Sequence, residues 1–391
     1  MLLRLAWRNL MGAGLRTWLN AFVLSLAFLL IVTAQGLLHG MNEQAAQALV
    51  AVSVGGGQFW HPAYDPYDPL ALADARGPLP AGLAAAVDRG QAAAVLAVPG
   101  GIYPAGRMQP VVLKGIDPAQ ALLEFPAAAL DTAVAEIPLL IGARMARSTG
   151  LAAGDRVALQ WRDARGTFDA RDGLVVAVMR TPVQGVDQGQ VWLPLDSLRA
   201  MTALPGAATL VTLARGAPPP SAGAAGGWRL RTTEDLLADV RELVRAKTAG
   251  SLFVYALLLF LAMLAVFDTQ VFSIFRRQRE LGTLMALGMT RRQVLGLFTL
   301  EGSLHGVLAL GLAAVYGAPL LAWFARRGWT LPRNTDDYGF AIGDTLHPVF
   351  GSGLLAGTAL VVLALTALVS WLPTRRIASV RPTAALRGRA L

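Results

Sequence analysis

The sequence predicts a polytopic α-helical membrane protein with four transmembrane helices and a large α+β domain outside the membrane. Three observations predict it. The chain of 391 residues is 54% hydrophobic and 15% charged, with a mean hydropathy of +0.50, which is too apolar for an ordinary soluble protein of this length. Four stretches suffice to cross a bilayer, which takes about 20 apolar residues at ~1.5 Å rise each: Trp18 to Leu38, Ser251 to Phe275, Val294 to Ala325 and Phe350 to Leu372. Between the first two lie residues 40–248, which alternate strand-like runs with turn-rich punctuation.

Charge placement sets the sidedness. The net charge is +9 and the pI near 10.7, yet residues 40–248 balance 18 basic against 19 acidic residues and 326–348 carry 3 of each. The excess sits in short segments: Arg4, Arg8 and Arg16; Arg276, Arg277, Arg279, Arg291 and Arg292 against Glu280; and five arginines after residue 373. That distribution excludes a basic nucleic-acid face. By the positive-inside rule it places residues 1–17, 276–293 and 373–391 in the cytoplasm. The spans are then 18–39, 249–275, 294–325 and 350–372, with 40–248 and 326–349 outside. A cleaved signal peptide is the competing reading of "RTWLNAFVLSLAFLLIVTAQ", but the apolar run continues through Gly36, Leu37 and Leu38, and an uncleaved anchor gives an even number of spans. Pro319 predicts a kink in the long third span. Cysteine is absent, so no disulfide framework or cysteine zinc site is available.

In the outer domain, "MQPVVLKGIDP", "GLVVAVM" and "ATLVTLA" read as strands. "IGARMARSTG" reads as a short helix closed by Gly150, and "LDSLRAMTAL" as one capped by Asp196. Residues 62–70 are turns, and "GAPPPSAGAAGG" at 216–227 is a flexible connector. Beyond it a helix capped by Thr232 or Thr233 has no strong breaker before the second span; unbroken from Glu234 to Phe275 it would be ~60 Å long.

No catalytic constellation is present in the sequence. The two lysines, Lys114 and Lys247, do not follow a glycine, so there is no phosphate loop of the G-x-x-x-x-G-K-[ST] type. The histidines form no H-E-x-x-H pair, and no G-x-S-x-G elbow occurs. Two acids do fall within spans, Asp268 and Glu301, each eight positions from the segment 276–293. They share a depth of ~12 Å by helical rise, and an intramembrane acid marks either a gate or a hydrogen-bonded structural group. His305 lies one turn beyond Glu301 and can pair with it. Gly302 and Gly306 make a G-x-x-x-G face suited to close helix contact.

The segment "RRQRELGTLMALGMTRRQ" reads as a short rigid amphipathic element. Leu281, Leu284 and Met285 share a helical face, Gly288 is a natural helix end, and Thr290 with Gln293 makes a capping box that Met289 can staple onto Val294. Topology arginines beside an interfacial helix explain the same pattern.

The run "RRQRELGTLMALGMTRRQVLGLFTLEGSLHGVLALGLAAVYGAPL" resembles the signature of FtsX/MacB-type ABC transporter permeases. "LAWRNLMGAGLRTWL", "VVLKGIDP", "IGARMARSTGLAAGDRVAL" and "RRIASVRPTAALRGR" are similar to other parts of those proteins in the same order. The likeness is nearest to the lipoprotein-releasing (LolC/LolE-like) permeases, since no ATPase is fused to the chain. It implies a periplasmic MacB-like domain in a type VII exporter architecture in a bacterial inner membrane. It also implies a non-catalytic subunit, with ATP and Mg bound by two copies of a separate ATP-binding subunit, and a second permease copy as homodimer or heterodimer. On matching positions Arg279, Glu280, Leu281, Leu284, Ala286, Leu287 and Gly288 would form the coupling helix that docks on the ATPase, and Glu301 is the family's acid in the third span. The implied cargo is a lipoprotein or other lipophilic substrate taken from membrane lipids, with a periplasmic adaptor as a further partner. Alternatives are an FtsX-like mechanotransmitting regulator of an envelope hydrolase and a MacB-like exporter of amphipathic small molecules.

Overall fold

The computed structural model describes residues 2–12, 14–68, 70–221, 223–277, 283, 285, 287–330 and 345–377. The chain divides into two compact units, one of residues 1–41, 244–330 and the chain from 346, the other built on 42–243.

The first unit is helical, and four of its helices are long and apolar enough to cross a membrane. Span one is Leu15–Leu49, continued by a π-helical turn Val50–Val54 that stops at Gly55, where φ is +59°. It is longer than the sequence suggested, because "QGLLHGMNEQ" stays helical. Gly36 and Gly40 look like breakers but serve close packing: a Cβ at Gly36 would lie 2.5 Å from Phe350 Cδ1, and one at Gly40 would meet the His347 carbonyl oxygen at 2.0 Å. Span two is Ala238–Arg276, 39 residues, separated from the short helix Thr233–Leu236 by a turn at Leu237. The expected unbroken helix from Glu234 is thus interrupted once, after a capping box between Thr232 and Asp235.

Span three runs Arg291–Leu312, then a π-helical turn Ala313–Gly317, then Ala318–Arg327. Pro319 has no N–H to give and its ring crowds the carbonyl four residues back, so the widened turn lies where the kink was expected. Span four is Ser352–Ile377. Leu24, Phe28 and Val32 of span one pack with Met263 and Val266 of span two, Ala309 of span three and Val362 of span four. Ahead of span one a separate helix, Leu2–Gly12, buries Ala6 and Leu10 against Leu297 and Leu304 of span three, while Leu3, Trp7 and Met11 stay exposed.

The second unit is an α+β domain. Its strands are β1 (Gln58–Trp60), β2 (Gly77–Pro78), β3 (Ala92–Ile102), β4 (Gln109–Ile116), β5 (Ile137–Gly142), β6 (Arg156–Arg162), β7 (Phe168–Met179), β8 (Gln190–Pro194), β9 (Ala207–Ala208), β10 (Leu210–Leu213) and β11 (Arg229–Arg231). Nine of them form a sheet in the order β11-β1-β10-β3-β4-β8-β5-β7-β6. The far end of β3 also pairs with β6, Gly100 opposite Trp161, so the six strands from β3 to β6 close on themselves. Alternation puts Leu96, Val98, Leu113, Leu139, Leu159 and Trp161 into the enclosed core.

All three strands read from the sequence are present as β4, β7 and β10. The helix Ala143–Thr149 ends at Gly150 in the left-handed region, φ +74°, as expected. Two expectations change. Asp196 lies inside the helix Leu195–Thr202 rather than capping it, and the N-cap position is Pro194. The connector 216–227 is exposed over most of its described residues but is anchored at one point, where Ala225 is buried in the core beside Trp228 and a Cβ at Gly82 would meet Ala224 at 2.5 Å.

Asp187 was not singled out by sequence. It is 2% exposed and accepts hydrogen bonds from the backbone N–H groups of Ala143 at 2.8 Å and Arg144 at 3.0 Å. With the Arg144 guanidinium 3.4 Å away, its carboxylate fixes the first turn of that helix from 43 residues downstream.

Lys114 of β4 stands opposite Trp192 of β8, its ammonium 5.1 Å from the ring centroid. Desolvation by burial lowers its pKa to about 8. The unfolded lysine titrates near ~10.4, so the unfolded chain binds more protons between those values and stability rises as pH climbs from about 8 toward ~10. Below pH 8 the penalty is fully present. Lys114→Met is therefore expected to stabilise the protein by about 1–3 kcal/mol at neutral pH and to flatten the rise above pH 8. Thermal unfolding of the detergent-solubilised protein at several pH values checks both.

Candidate functional site

The most developed polar arrangement in the membrane unit surrounds Glu301. This residue is 5% exposed, in the third turn of span three. Arg277, just past the end of span two, donates from one guanidinium nitrogen to both carboxylate oxygens, at 3.2 Å and 3.1 Å. Asn9 of the helix Leu2–Gly12 donates to the carboxylate at 3.4 Å. Arg277 also lies over the ring of Phe298, 5.4 Å from its centroid. One acid thus joins the N-terminal helix, span three and the chain leaving span two. A charge-assisted pair of this kind holds direction as well as distance.

His305 is buried but does not pair with the Glu301 carboxylate; its Nδ1 lies 3.2 Å from the Glu301 backbone carbonyl. Among the described residues no group of three potential metal ligands occurs.

The G-x-x-x-G face is used within the chain. A Cβ at Gly302 would lie 2.0 Å from Ser370 Oγ and 2.3 Å from Ser370 Cβ, and one at Gly306 would lie 2.6 Å from Thr366 Oγ1. Thr366, Ser370 and Thr374 each return their hydroxyl to the carbonyl four residues back, leaving a narrow polar stripe on span four that admits span three closely. Gln270 of span two completes the meeting point, 2% exposed, its Cδ 3.2 Å from the Gly302 Cβ position.

Asp268 is treated oppositely. Its side chain is exposed on span two, and it has no hydrogen-bond or ionic partner among the described residues. A carboxylate facing lipid costs up to ~3 kcal/mol at mid-membrane and less toward the interface.

Of the predicted coupling residues, Arg279, Glu280, Leu281, Leu284 and Ala286 lie outside the described residues. Leu287 is 84% exposed, and Gly288 has φ +97°, where L side chains are strained, so it ends the segment as expected. Thr290 and Gln293 form the reciprocal capping box, and Met285 and Met289 pack on Val294 and Phe298. Span three therefore starts from a fixed point. Sequence reasoning missed Asn9, Gln270 and the hydroxyl ladder, and it counted Arg277 only as a cytoplasmic charge and not as the partner of Glu301; the repeat of hydroxyls at 366, 370 and 374 was the available signal for the ladder.

No curated protein matches the chain. Residues 252–382 match the family model described as FtsX-like permease C-terminal. The matched stretch takes in span two from residue 252 onward, spans three and four, the segment 276–293 and Glu301.

Proposed function

We propose that this chain is the permease subunit of an ABC transporter that couples ATP hydrolysis by a separate ATPase to movements of a periplasmic domain formed by residues 42–243. The cargo is a lipoprotein or other lipophilic molecule leaving the inner membrane. The observation that carries the reading is the Arg277–Glu301–Asn9 clasp. It ties the chain entering the segment 276–293 to span three and the N-terminal helix, so force applied there is passed to span three and the N-terminal helix rather than dissipated in a loose loop. Glu280, Leu284 and their neighbours up to Gly288 form the face that an ATPase grips in this account, and the arginines around them hold it on the cytoplasmic side.

Co-purification with the ATPase tests this. Glu280→Ala with Leu284→Ala is expected to reduce ATPase recovery at least tenfold without loss of the permease from the membrane. Unchanged recovery and unchanged ATP hydrolysis contradict the assignment. A hydrolase held by the outer domain, with no release of lipoprotein from spheroplasts, favours an FtsX-like regulator over transport.

A further inference from the structure

Where the chain leaves span one, the 42–243 unit carries a groove of about 620 Å³. One wall is the last helical stretch of that span, with Glu43, Gln44 and Gln47, running into the π-helical turn at Ala51. The other wall carries Glu124 and Arg215. Backbone bonds fix both walls: the Glu124 N–H donates to the Ala51 carbonyl at 2.8 Å, and the Leu213 carbonyl, two residues before Arg215, accepts from the Gly56 N–H at 2.8 Å. A π-helical turn is rare and frequently marks a functional site. The polar groups of the groove are mixed in charge. Glu124 pairs with Arg215 at 3.2 Å, and that guanidinium is 52% exposed, so it keeps donors for a further anion. Glu43 accepts from Gln47 at 3.0 Å. Gln44 keeps its Oε1 buried with no hydrogen-bond donor among the described residues, a costly arrangement unless something donates to it. Depth along the helix says what that donor is. The apolar run of span one ends at Leu38, and Glu43 and Gln44 follow on the same continuous helix by about 7–9 Å at ~1.5 Å per residue. That distance reaches the outer edge of a headgroup layer ~5–8 Å thick.

We propose that this groove holds the headgroup of an amine-bearing zwitterionic phospholipid, of the phosphatidylethanolamine class, from the leaflet on the outer-domain side. Its primary ammonium donates to Gln44 Oε1 and to the Glu43 carboxylate, and its phosphate takes the remaining N–H groups of Arg215. A primary ammonium carries three N–H donors. The quaternary ammonium of phosphatidylcholine carries none and leaves Gln44 unsatisfied, and phosphatidylglycerol brings the phosphate without the cation. The inference rests on the four-span placement in the permease reading, but it needs no ATPase.

The chain has no cysteine, so Ala46→Cys in the groove lining reports occupancy through its rate of modification by a charged, water-soluble thiol reagent. The full chain is placed in nanodiscs of phosphatidylcholine alone, or with phosphatidylethanolamine or phosphatidylglycerol added. Phosphatidylethanolamine is expected to slow the modification by roughly fivefold or more, and phosphatidylglycerol to leave it unchanged. Arg165→Cys, exposed in the turn between β6 and β7, is expected to react at one rate in all three. Gln44→Leu removes an acceptor that has no partner, so the thermal midpoint is expected to hold while the protection is lost; Arg215→Leu is expected to lose the protection as well. Equal protection by phosphatidylglycerol, protection that survives Gln44→Leu, or no protection by phosphatidylethanolamine would overturn the proposal. Protection by soluble glycerophosphoethanolamine but not by the lipid would overturn it too, since the groove would then take a free headgroup molecule. ATPase co-purification without lipid protection overturns this inference alone, whereas protection without ATPase binding overturns the coupling reading and leaves this one standing.

Discussion

Replacing Glu301 by alanine is expected to uncouple the protein and destabilise it. Its carboxylate accepts from Arg277 and Asn9 while only 5% exposed, and removing one member of a buried pair leaves the other charge without compensation, typically ~3–5 kcal/mol. The Arg277 side chain keeps 23% exposure, so a cost at or just below the bottom of that range, about 2–3 kcal/mol, is expected here. Glu301→Gln, which preserves an acceptor for Arg277 and Asn9, is expected to lose about half as much. Stability alone does not separate a strut from a coupling element. The double substitution Arg277→Leu with Glu301→Leu does: it removes both charges, restores stability to within ~1 kcal/mol, and is still expected to leave ATP-driven release at background. Recovery of release in the double variant would make the pair purely structural.

The second large effect is expected at Gly302. A methyl group there overlaps Ser370 Cβ at 2.3 Å, closer than any real carbon contact, with no flexible chain end to give way. Gly302→Ala must therefore push span three from span four and is expected to cost about 2–3 kcal/mol, toward the upper end for overpacking. Ser370→Gly removes the overlapped atoms, and the next nearest is Gln270 Cδ at 3.2 Å. Combined with Gly302→Ala it is expected to recover most of the loss, a coupling of about 1–2 kcal/mol in a double-mutant cycle. Additive single effects would show that the two spans do not meet at this point.

Much of the membrane architecture was legible because its signals are local. Spans need only a continuous apolar run, and the start of span three needs only Thr290, Gln293, Met289 and Val294 at fixed spacings, all of which the structure brings together. Glu301 stood out as an acid in an apolar run, but its partners did not. Asn9 is 292 residues away and Arg277 is 24 away, and no periodicity links them. Asp187 was invisible for the same reason, since the helix it holds begins 44 residues earlier. Span one was read only to residue 39, yet the helix continues past it, and Gly36 and Gly40 each admit a neighbouring segment that a side chain would exclude. The connector 216–227 is mostly exposed, as its composition suggested, but small residues also suit close packing, and Ala225 anchors it in the core.

The central claim is that an ATPase grips the segment before Gly288. Leu287, 84% exposed in a chain without cysteine, offers the most direct measurement: Leu287→Cys carrying a short bifunctional thiol-to-amine cross-linker in native membranes. The account predicts a cross-linked product containing the ATP-binding subunit, formed in preference to one from an outer-domain control such as Arg165→Cys. Absence of that product, with the permease intact in the membrane and the ATPase present, would contradict it.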